Sequence, residues 1–308
     1  MQRRDLLKNL GIFSGSLTLP TLSKAQIIPQ NPTRVLRIAH ITDVHIQPII
    51  AAAKGFEKCL HHIQNLDIKP DLILNSGDAI MEAHGRGHDS TTRQWNLYQS
   101  VLKSENTIPM LSCVGNHDIW CKEESSIGFN DGKKWAMDEL ALAKPYYSFN
   151  KNGWHFIVLD SVQPKPDGSW YTANIDEAQM DWLKTDLENT AVETPVLITS
   201  HVPILSACVF LDGNNNKNGN WHVPSSWMHS DSAELVKLFY KHKNIKLAIS
   251  GHIHLQDKVE YNGISYCCNG AVSGAWWFGK YHQTEAGYAV IDLYSDGSFC
   301  NNYVNYRG

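Results

Sequence analysis

Five short polar motifs in this chain carry side chains that could bind metal ions. In chain order they are Asp43-Val44-His45, Gly77-Asp78, Gly115-Asn116-His117-Asp118, His201, and Gly251-His252-Ile253-His254. Carboxylate, amide and imidazole groups are ligands for divalent cations, and none of the motifs uses cysteine. Together they supply enough donors for two cations about 3.5–4 Å apart, the separation typical of phosphate-cleaving sites. One isolated Asp or His is more often an ordinary hydrogen-bonded core residue, whereas the full set indicates a binuclear metal site.

Each of these motifs directly follows a short apolar run. The runs VLRIAHI, DLILNS, PMLSCV, PVLITS and KLAIS are typical of buried strands. In α/β proteins, ligands gather beyond the carboxyl ends of the strands. We therefore expect the five motifs to meet at one edge of a sheet.

The order of the motifs resembles the signature of the calcineurin-like metallophosphoesterase superfamily, which reads D-x-H, G-D, G-N-H-[DE], H and G-H-x-H. The resemblance extends from about Arg34 to the C-terminus. The segment RIAHITDVHIQP is similar to the opening strand of the family. The segments HFIVLDS and EAQMDWLKTDL are similar to the middle of its cyclic-nucleotide-phosphodiesterase branch.

This resemblance implies a role for each motif residue. Two metal sites are implied, with Asp43, His45 and His254 at the first metal, Asn116, His201 and His252 at the second, and Asp78 bridging both. A hydroxide between the metals would then attack phosphorus in line.

In the purple acid phosphatase branch, a tyrosine three residues after the Gly-Asp aspartate binds ferric iron. This chain has Met81 there, so we expect two divalent ions, with Mn²⁺, Fe²⁺ and Zn²⁺ all compatible with these ligands.

Two further residues of the third motif are candidates for catalysis. In the family the residue at His117 is not a metal ligand, and it faces the substrate. An imidazole there could protonate the leaving oxygen or stabilise charge, because its pKa lies near neutral pH. Asp118 could orient His117 by accepting a ring N–H, or it could cap the turn, and the sequence favours neither role.

The alternation of strands and helices predicts an α/β fold. Residues 52–66 place Phe56, Leu60 and Ile63 on one face at helical spacing. Asp176 and Asp231 each begin a capping-box pattern ahead of a helix. The end of the chain shows no helical period, and its Asn262-Gly263 and Asp296-Gly297 pairs are hairpin signals, so it reads as a β-meander. These features fit the four-layer α/β/β/α sandwich that the resemblance implies. We expect residues 34–308 to form a single domain.

Two loops could form walls of a substrate pocket, because they follow or flank the His201 and His254 motifs. The first covers Ser206 to Ser230 and is rich in Asn and Gly, so its centre should be solvated. The second covers Cys268 to Gln283 and contains Trp276, Trp277 and Phe278 between glycines. Aromatic side chains that cover a sheet edge or the core would explain the second loop equally well.

Composition limits the class of partner. The chain has 308 residues and a net charge of −4. This acidic balance argues against binding to duplex nucleic acid, which requires a basic surface.

A small-molecule phosphoester is the expected substrate. We expect a phosphodiesterase, with a phosphomonoesterase that uses the same site, or a non-catalytic metal-binding scaffold, as the alternatives. The sequence does not indicate the oligomeric state.

The N-terminus has the features of an export signal. Arg3 and Arg4 precede the apolar stretch LGIFSGSLTLPTL, and a small-residue cleavage signal follows at Ser23-Lys24-Ala25. The stretch is too short and too polar for a stable membrane span. Residues 1–25 are therefore predicted to be a twin-arginine signal peptide, which would make the mature protein periplasmic. A disordered or amphipathic N-terminal arm is the alternative.

Overall fold

The computed structural model describes residues 32–122 and 125–308, and these form a mixed α/β fold. The predicted signal peptide at residues 1–25 lies outside the described residues. The strands are β1 (Arg34–Ile41), β2 (Leu72–Asn75), β3 (Met110–Ser112), β4 (Tyr147–Lys151), β5 (Trp154–Val158), β6 (Val162–Pro164), β7 (Tyr171–Ala173), β8 (Val196–Thr199), β9 (Asn216–Lys217), β10 (Asn220–Trp221), β11 (Ile245–Ser250), β12 (Asp257–Tyr261), β13 (Ile264–Cys268), β14 (Gly287–Tyr294) and β15 (Phe299–Asn305). The α-helices are α1 (Ile50–Gln64), α2 (His88–Glu105), α3 (Phe129–Glu139), α4 (Glu177–Asn189) and α5 (Ser232–Phe239).

Two large sheets form the centre of the fold. The first has the strand order β15-β14-β1-β2-β3, and the second has the order β12-β13-β11-β8-β5-β4. Strands β1, β2 and β3 are parallel to one another, as are β13, β11, β8 and β5. The carboxyl ends of the motif-bearing strands within each sheet therefore lie at one edge, where their loops can meet.

Three apolar clusters hold the sheets and helices together as layers. One cluster joins the two sheets and includes Leu36 and Ile38 from β1 together with Phe156 and Leu197 from the second sheet. A second cluster packs α1 and α2 on the first sheet, and a third packs α4 and α5 on the second sheet. The predicted α/β/β/α sandwich is confirmed.

The predicted hairpins at the end of the chain are confirmed, but they lie in different sheets. Strands β12 and β13 pair around Asn262-Gly263 in the second sheet, whereas β14 and β15 pair around Asp296-Gly297 in the first sheet. Residues 269–286 cross between the sheets, so the chain end is not one continuous meander. In the part of the chain that the structure describes, no helix is both long and apolar enough to cross a bilayer.

Candidate metal centre

The five motifs meet where the two sheets lie together. Strands β1, β2 and β3 of the first sheet lead into the loops of Asp43, Asp78 and Asn116, and strands β8 and β11 of the second sheet lead into those of His201 and His252. Backbone hydrogen bonds fix the loops to each other, for example from Asp43 N to the Gly77 carbonyl oxygen at 3.0 Å. Six of the seven predicted metal ligands are buried, and His252 is half-buried.

One cluster of donor atoms combines the first and last motifs. The Asp43 Oδ1 atom lies 3.5 Å from His254 Nε2 and 3.7 Å from His45 Nε2. The two imidazole nitrogens face each other at 3.0 Å. Asp43 Oδ1 is buried and has no hydrogen-bond partner among the described residues. An anionic oxygen without a partner is costly in a protein interior, and a cation shared by the three donors would remove that cost.

A second cluster surrounds His201. Its Nε2 atom lies 3.0 Å from Asn116 Oδ1, 3.2 Å from His252 Nδ1 and 3.3 Å from Asp78 Oδ2. These are a carboxylate, an amide oxygen and two imidazoles, a set that suits a divalent transition metal. The donor chemistry therefore fits a second cation here.

Asp78 lies between the two clusters. Its Oδ2 atom is 3.3 Å from His201 Nε2 in the second cluster and 3.7 Å from His45 Nε2 in the first. Its other oxygen, Oδ1, accepts a hydrogen bond of 2.8 Å from the backbone N–H of His117. One carboxylate that reaches both clusters is what a bridging ligand requires.

The backbone at the ligands is unusual. Five of the seven predicted ligands have positive φ angles: Asp43 (52°), His45 (47°), Asp78 (55°), His252 (74°) and His254 (60°). For residues other than glycine this region costs about 1–3 kcal/mol each, and such residues cluster at functional sites. The surrounding packing therefore holds the ligands in place against local strain, which is a property that sequence motifs do not reveal.

Backbone carbonyls orient two of the imidazoles. His201 Nδ1 lies 2.8 Å from the Ser76 carbonyl oxygen, and His254 Nδ1 lies 2.7 Å from that of Gly274. When Nδ1–H donates to a carbonyl, the lone pair of Nε2 is left free for a metal. These partners were not predictable from residue types, because the acceptors are main-chain atoms that any residue could supply.

Two motif glycines are required for close approach. A Cβ atom on Gly115 would overlap Asp78 Oδ1, and one on Gly251 would overlap Thr42 Oγ1 and Asp43 Oδ2. Thr42 Oγ1 donates to Asp43 Oδ2 at 2.6 Å. The glycines thus allow the ligand loops to pack directly against the carboxylates.

Neighbouring carboxylates raise the pKa values of two imidazoles at this site. Burial disfavours a charged His117, but the carboxylates of Asp78 and Glu82 raise its pKa to about 10. Burial likewise opposes a charge on His201, while Asp78 and Asp43 raise its pKa to about 9. A cation would compete with protons for these donors, because a liganding imidazole must be unprotonated. Metal affinity is therefore expected to fall as the pH decreases.

His117 and Asp118 have different surroundings. The His117 ring is 22% exposed, and its Nδ1 atom lies 2.8 Å from the Met81 carbonyl oxygen and 3.2 Å from Glu82 Oε2. Its Nε2 atom is 4.0 Å from Asp78 Oδ2. His45, Asp78 and His117 also form a possible metal-binding group by distance, so the metal content of a His117 variant distinguishes the two roles.

The orienting role considered for Asp118 is wrong, because Met81 and Glu82 occupy that position beside His117. The Asp118 carboxylate is buried and accepts backbone N–H bonds from Gly115 at 2.9 Å, Asp78 at 3.0 Å and Ala79 at 2.8 Å. Asp118 therefore caps the turn and joins the loops after β2 and β3. It supports the motif residues through these bonds to the backbone.

A cavity of about 410 Å³ opens over the metal centre. The two loops predicted to form pocket walls do line this cavity. The Ser206–Ser230 loop contributes Asp212, Ser226 and Trp227, and the Cys268–Gln283 loop contributes Trp276 and Tyr281. The hairpin of β6 and β7 adds Lys165, Trp170 and Tyr171, which sequence reasoning missed. Those residues lie in a short polar segment without a motif, and only the folded chain brings them to the site.

Comparison with known proteins identifies relatives of this chain. The family model described as Calcineurin-like phosphoesterase matches residues 36–256. A 3′,5′-cyclic-nucleotide phosphodiesterase of Nostoc sp. (strain PCC 7120) is 25% identical over 284 residues, covering 86% of this chain and 90% of the relative. A Psychrobacter sp. (strain PRwf-1) protein named "Probable cyclic nucleotide phosphodiesterase" is 24% identical over 223 residues, covering 71% of this chain and 57% of the relative.

The fold also has solved counterparts. A dimetal phosphatase from Danio rerio superposes with a TM-score of 0.63 at 14% identity, covering 89% of this chain and 97% of that chain. At this identity the similarity concerns the fold alone.

Proposed function

Because the chain belongs to the calcineurin-like phosphoesterase family, and is thus a hydrolase of phosphoric esters, we propose that it cleaves phosphodiesters with two divalent cations. The observation that carries this proposal is the position of Asp78, whose Oδ2 atom lies within 3.7 Å of imidazole nitrogens in both ligand clusters. A mononuclear site would not need a carboxylate between two sets of donors.

The two clusters would hold one cation each. Asp43, His45 and His254 are the proposed ligands of the first cation, Asn116, His201 and His252 those of the second, and Asp78 the bridge. When bound, such ions supply positive charge to the phosphoryl oxygens and acidify a water for attack on phosphorus. Mn²⁺, Fe²⁺ and Zn²⁺ are all compatible with this ligand set.

The role of the protein in proton transfer falls to His117. The Met81 carbonyl and the Glu82 carboxylate hold its Nδ1 side, and the ring lines the cavity with Nε2 on the side of Asp78. A proton on Nε2 could therefore pass to the oxygen that leaves phosphorus. In this proposal Glu82 and Met81 are positioning residues, because they act through His117.

The preference for diesters rests on the relatives. Proteins named as cyclic-nucleotide phosphodiesterases align with most of this chain. A phosphomonoesterase with the same metal centre is the second candidate, because one site of this family can serve different esters. A non-catalytic scaffold is disfavoured by the complete ligand set and by His117 beside an open cavity.

Turnover of two chromogenic esters tests the proposal. Metal-loaded enzyme should hydrolyse bis(p-nitrophenyl) phosphate with a higher kcat/KM than p-nitrophenyl phosphate. The reverse order would assign a monoesterase, and metal binding without turnover of either ester would assign a scaffold. A panel of cyclic nucleotides, nucleotides, sugar phosphates and phospholipid head groups then identifies the natural class of ester.

We also propose that the protein is exported to the periplasm by the twin-arginine route, on the basis of Arg3 and Arg4 ahead of the apolar stretch. Replacing both arginines with lysine should leave the protein in the cytoplasm, because the signal depends on the arginine pair. Cell fractionation with immunoblotting measures this. An unchanged periplasmic level in the double variant would refute the route, and the mature protein should begin near Gln26.

A further inference from the structure

Two tryptophans outside the five motifs border the metal centre. We propose that Trp170 and Trp276 form the recognition site for the base of a nucleotide ester, so that they select nucleotides over esters without a planar ring. This inference rests on the proposed function, because it concerns the substrate of the same site. Both indoles line the cavity above the metal ligands.

Trp276 is presented to the site by a strained turn. Trp276 and Trp277 have consecutive positive φ angles of 49° and 79°. Trp277 anchors the turn, since it is only 6% exposed and its Nε1–H donates to the His45 carbonyl oxygen at 3.0 Å. Phe278, the next residue, is 82% exposed. The turn thus buries the ring of Trp277 and exposes that of Phe278, while Trp276 lines the cavity.

The Trp276 ring lies beside the first ligand cluster. Its centroid is 4.7 Å from that of His254 and 6.1 Å from that of His45. Tyr281 meets it edge-on at 5.4 Å, and the Tyr281 hydroxyl donates to Asp212 Oδ1 at 2.6 Å. These contacts fix the indole next to the reacting centre, where a bound ester would meet it.

Trp170 lies beside His117 in the cavity. It belongs to the hairpin between β6 and β7, and its ring centroid is 6.4 Å from that of His117. His84 stacks on the indole at 4.0 Å with an interplanar angle of 13°, and Tyr171 packs edge-on at 4.7 Å. The rings of His45 and His117 are 4.7 Å apart, and they connect the two indoles across the site.

The lining of the cavity explains why a planar group is favoured. Five aromatic side chains from three separate segments face one cavity: Trp170, Tyr171, Trp227, Trp276 and Tyr281. A small sugar phosphate offers mainly hydroxyl groups, which gain little from aromatic walls. A nucleic-acid base stacks on such rings with a gain of about 5- to 150-fold in binding per base. The phosphoryl group would lie at the metal ligands and the base against the indoles.

A pair of substrates that differ only in the base tests this inference. We compare adenosine 3′,5′-cyclic monophosphate with ribose 3′,5′-cyclic phosphate, which keeps the reacting diester and lacks the base. Trp170→Ala and Trp276→Ala should each lower kcat/KM for the adenosine diester about 5- to 150-fold, mainly through KM. They should leave the ribose diester unchanged. Trp170→Phe and Trp276→Phe should recover most of the loss, and Phe278→Ala is the matched control on the same turn.

Two results would overturn the inference. One is an equal loss of kcat/KM on both diesters in an alanine variant, which would mean that the indole supports the metal ligands. Elemental analysis of Trp276→Ala checks that support directly.

The other result comes from calorimetry with adenosine 5′-monophosphate and ribose 5-phosphate as probes. The metal-loaded protein should bind the first more tightly, and the alanine variants should lose that difference. Equal binding of the two probes contradicts base recognition, whereas failure to hydrolyse either diester contradicts only the proposed function.

Discussion

Replacing Asp78 with asparagine is expected to abolish both metal binding and phosphoesterase activity. The Asp78 carboxylate is buried and lies between the two ligand clusters, where its charge would offset the repulsion between two cations. An asparagine has nearly the same shape but no charge. Loss of an outer-shell partner typically lowers metal affinity or activity about 10- to 100-fold, so loss of the bridge should exceed about 100-fold. Hydrolysis of bis(p-nitrophenyl) phosphate and elemental analysis of the same preparation measure both effects.

A matched control is Asp181→Asn. Asp181 lies on α4, its side chain is 70% exposed, and its ion pair with Lys184 is of the surface type that contributes little. This variant should keep its metals and its rate. If Asp78→Asn retained two metal equivalents and a near-normal rate, Asp78 would not be the bridge.

His117→Asn should slow the enzyme by an amount that depends on the leaving group. An alkoxide leaves phosphorus poorly without a proton, whereas p-nitrophenolate leaves unaided. General acid catalysis is typically worth about 10²–10⁴-fold. We therefore expect a loss of that size for alkyl esters, a much smaller loss for nitrophenyl esters, and unchanged metal content. Steady-state kinetics with a series of diesters measures the difference.

Two other outcomes would reassign His117. An equal loss on both types of ester would indicate charge stabilisation or substrate positioning. Loss of metal would indicate that His117 is itself a metal ligand, and its distances to His45 and Asp78 permit this role. Glu82→Gln is a useful companion, because Glu82 Oε2 lies 3.2 Å from His117 Nδ1. As a positioning change, it should show the same leaving-group dependence with a smaller loss.

The layers of the fold were predictable because hydrophobic period and strand length are local properties. Residues Phe56, Leu60 and Ile63 form the buried face of α1, as their spacing predicts. Asp176 caps α4 through a bond of 2.7 Å from the Gln179 N–H. The assignment of hairpins to sheets was not predictable, because pairing between distant strands leaves no local signal.

Asp231 shows how tertiary contacts override a local pattern. The sequence predicts a capping box at this residue, but its side chain makes no capping bond to α5. Instead, its carboxylate accepts from the Ile175 N–H at 3.0 Å and lies 2.9 Å from His229 Nδ1. The capping prediction is wrong because these two partners, one of them 56 positions away in the chain, compete for the same oxygens.

The meeting of the motif side chains at one place was predictable from the sequence, and the surroundings of those side chains were not. The motifs indicated which residues carry donor atoms, and strand ends indicated that they would meet. The positive φ angles, the carbonyl of Gly274 behind His254, and the Trp277 anchor depend on how the chain crosses between the sheets. The contribution of Trp170 depends on the same long-range packing. Neither residue type nor spacing encodes these contacts in a form that sequence patterns can detect.

A metal titration tests the central claim most directly. Metal-free protein is titrated with Mn²⁺ near neutral pH, while bound metal is measured by elemental analysis and turnover with bis(p-nitrophenyl) phosphate. We expect no activity without metal and a maximum that coincides with two bound equivalents per chain, reversed by a chelator and restored by Mn²⁺ or Zn²⁺. Full activity in a sample free of metal, or saturation at one equivalent, would contradict a binuclear phosphoesterase.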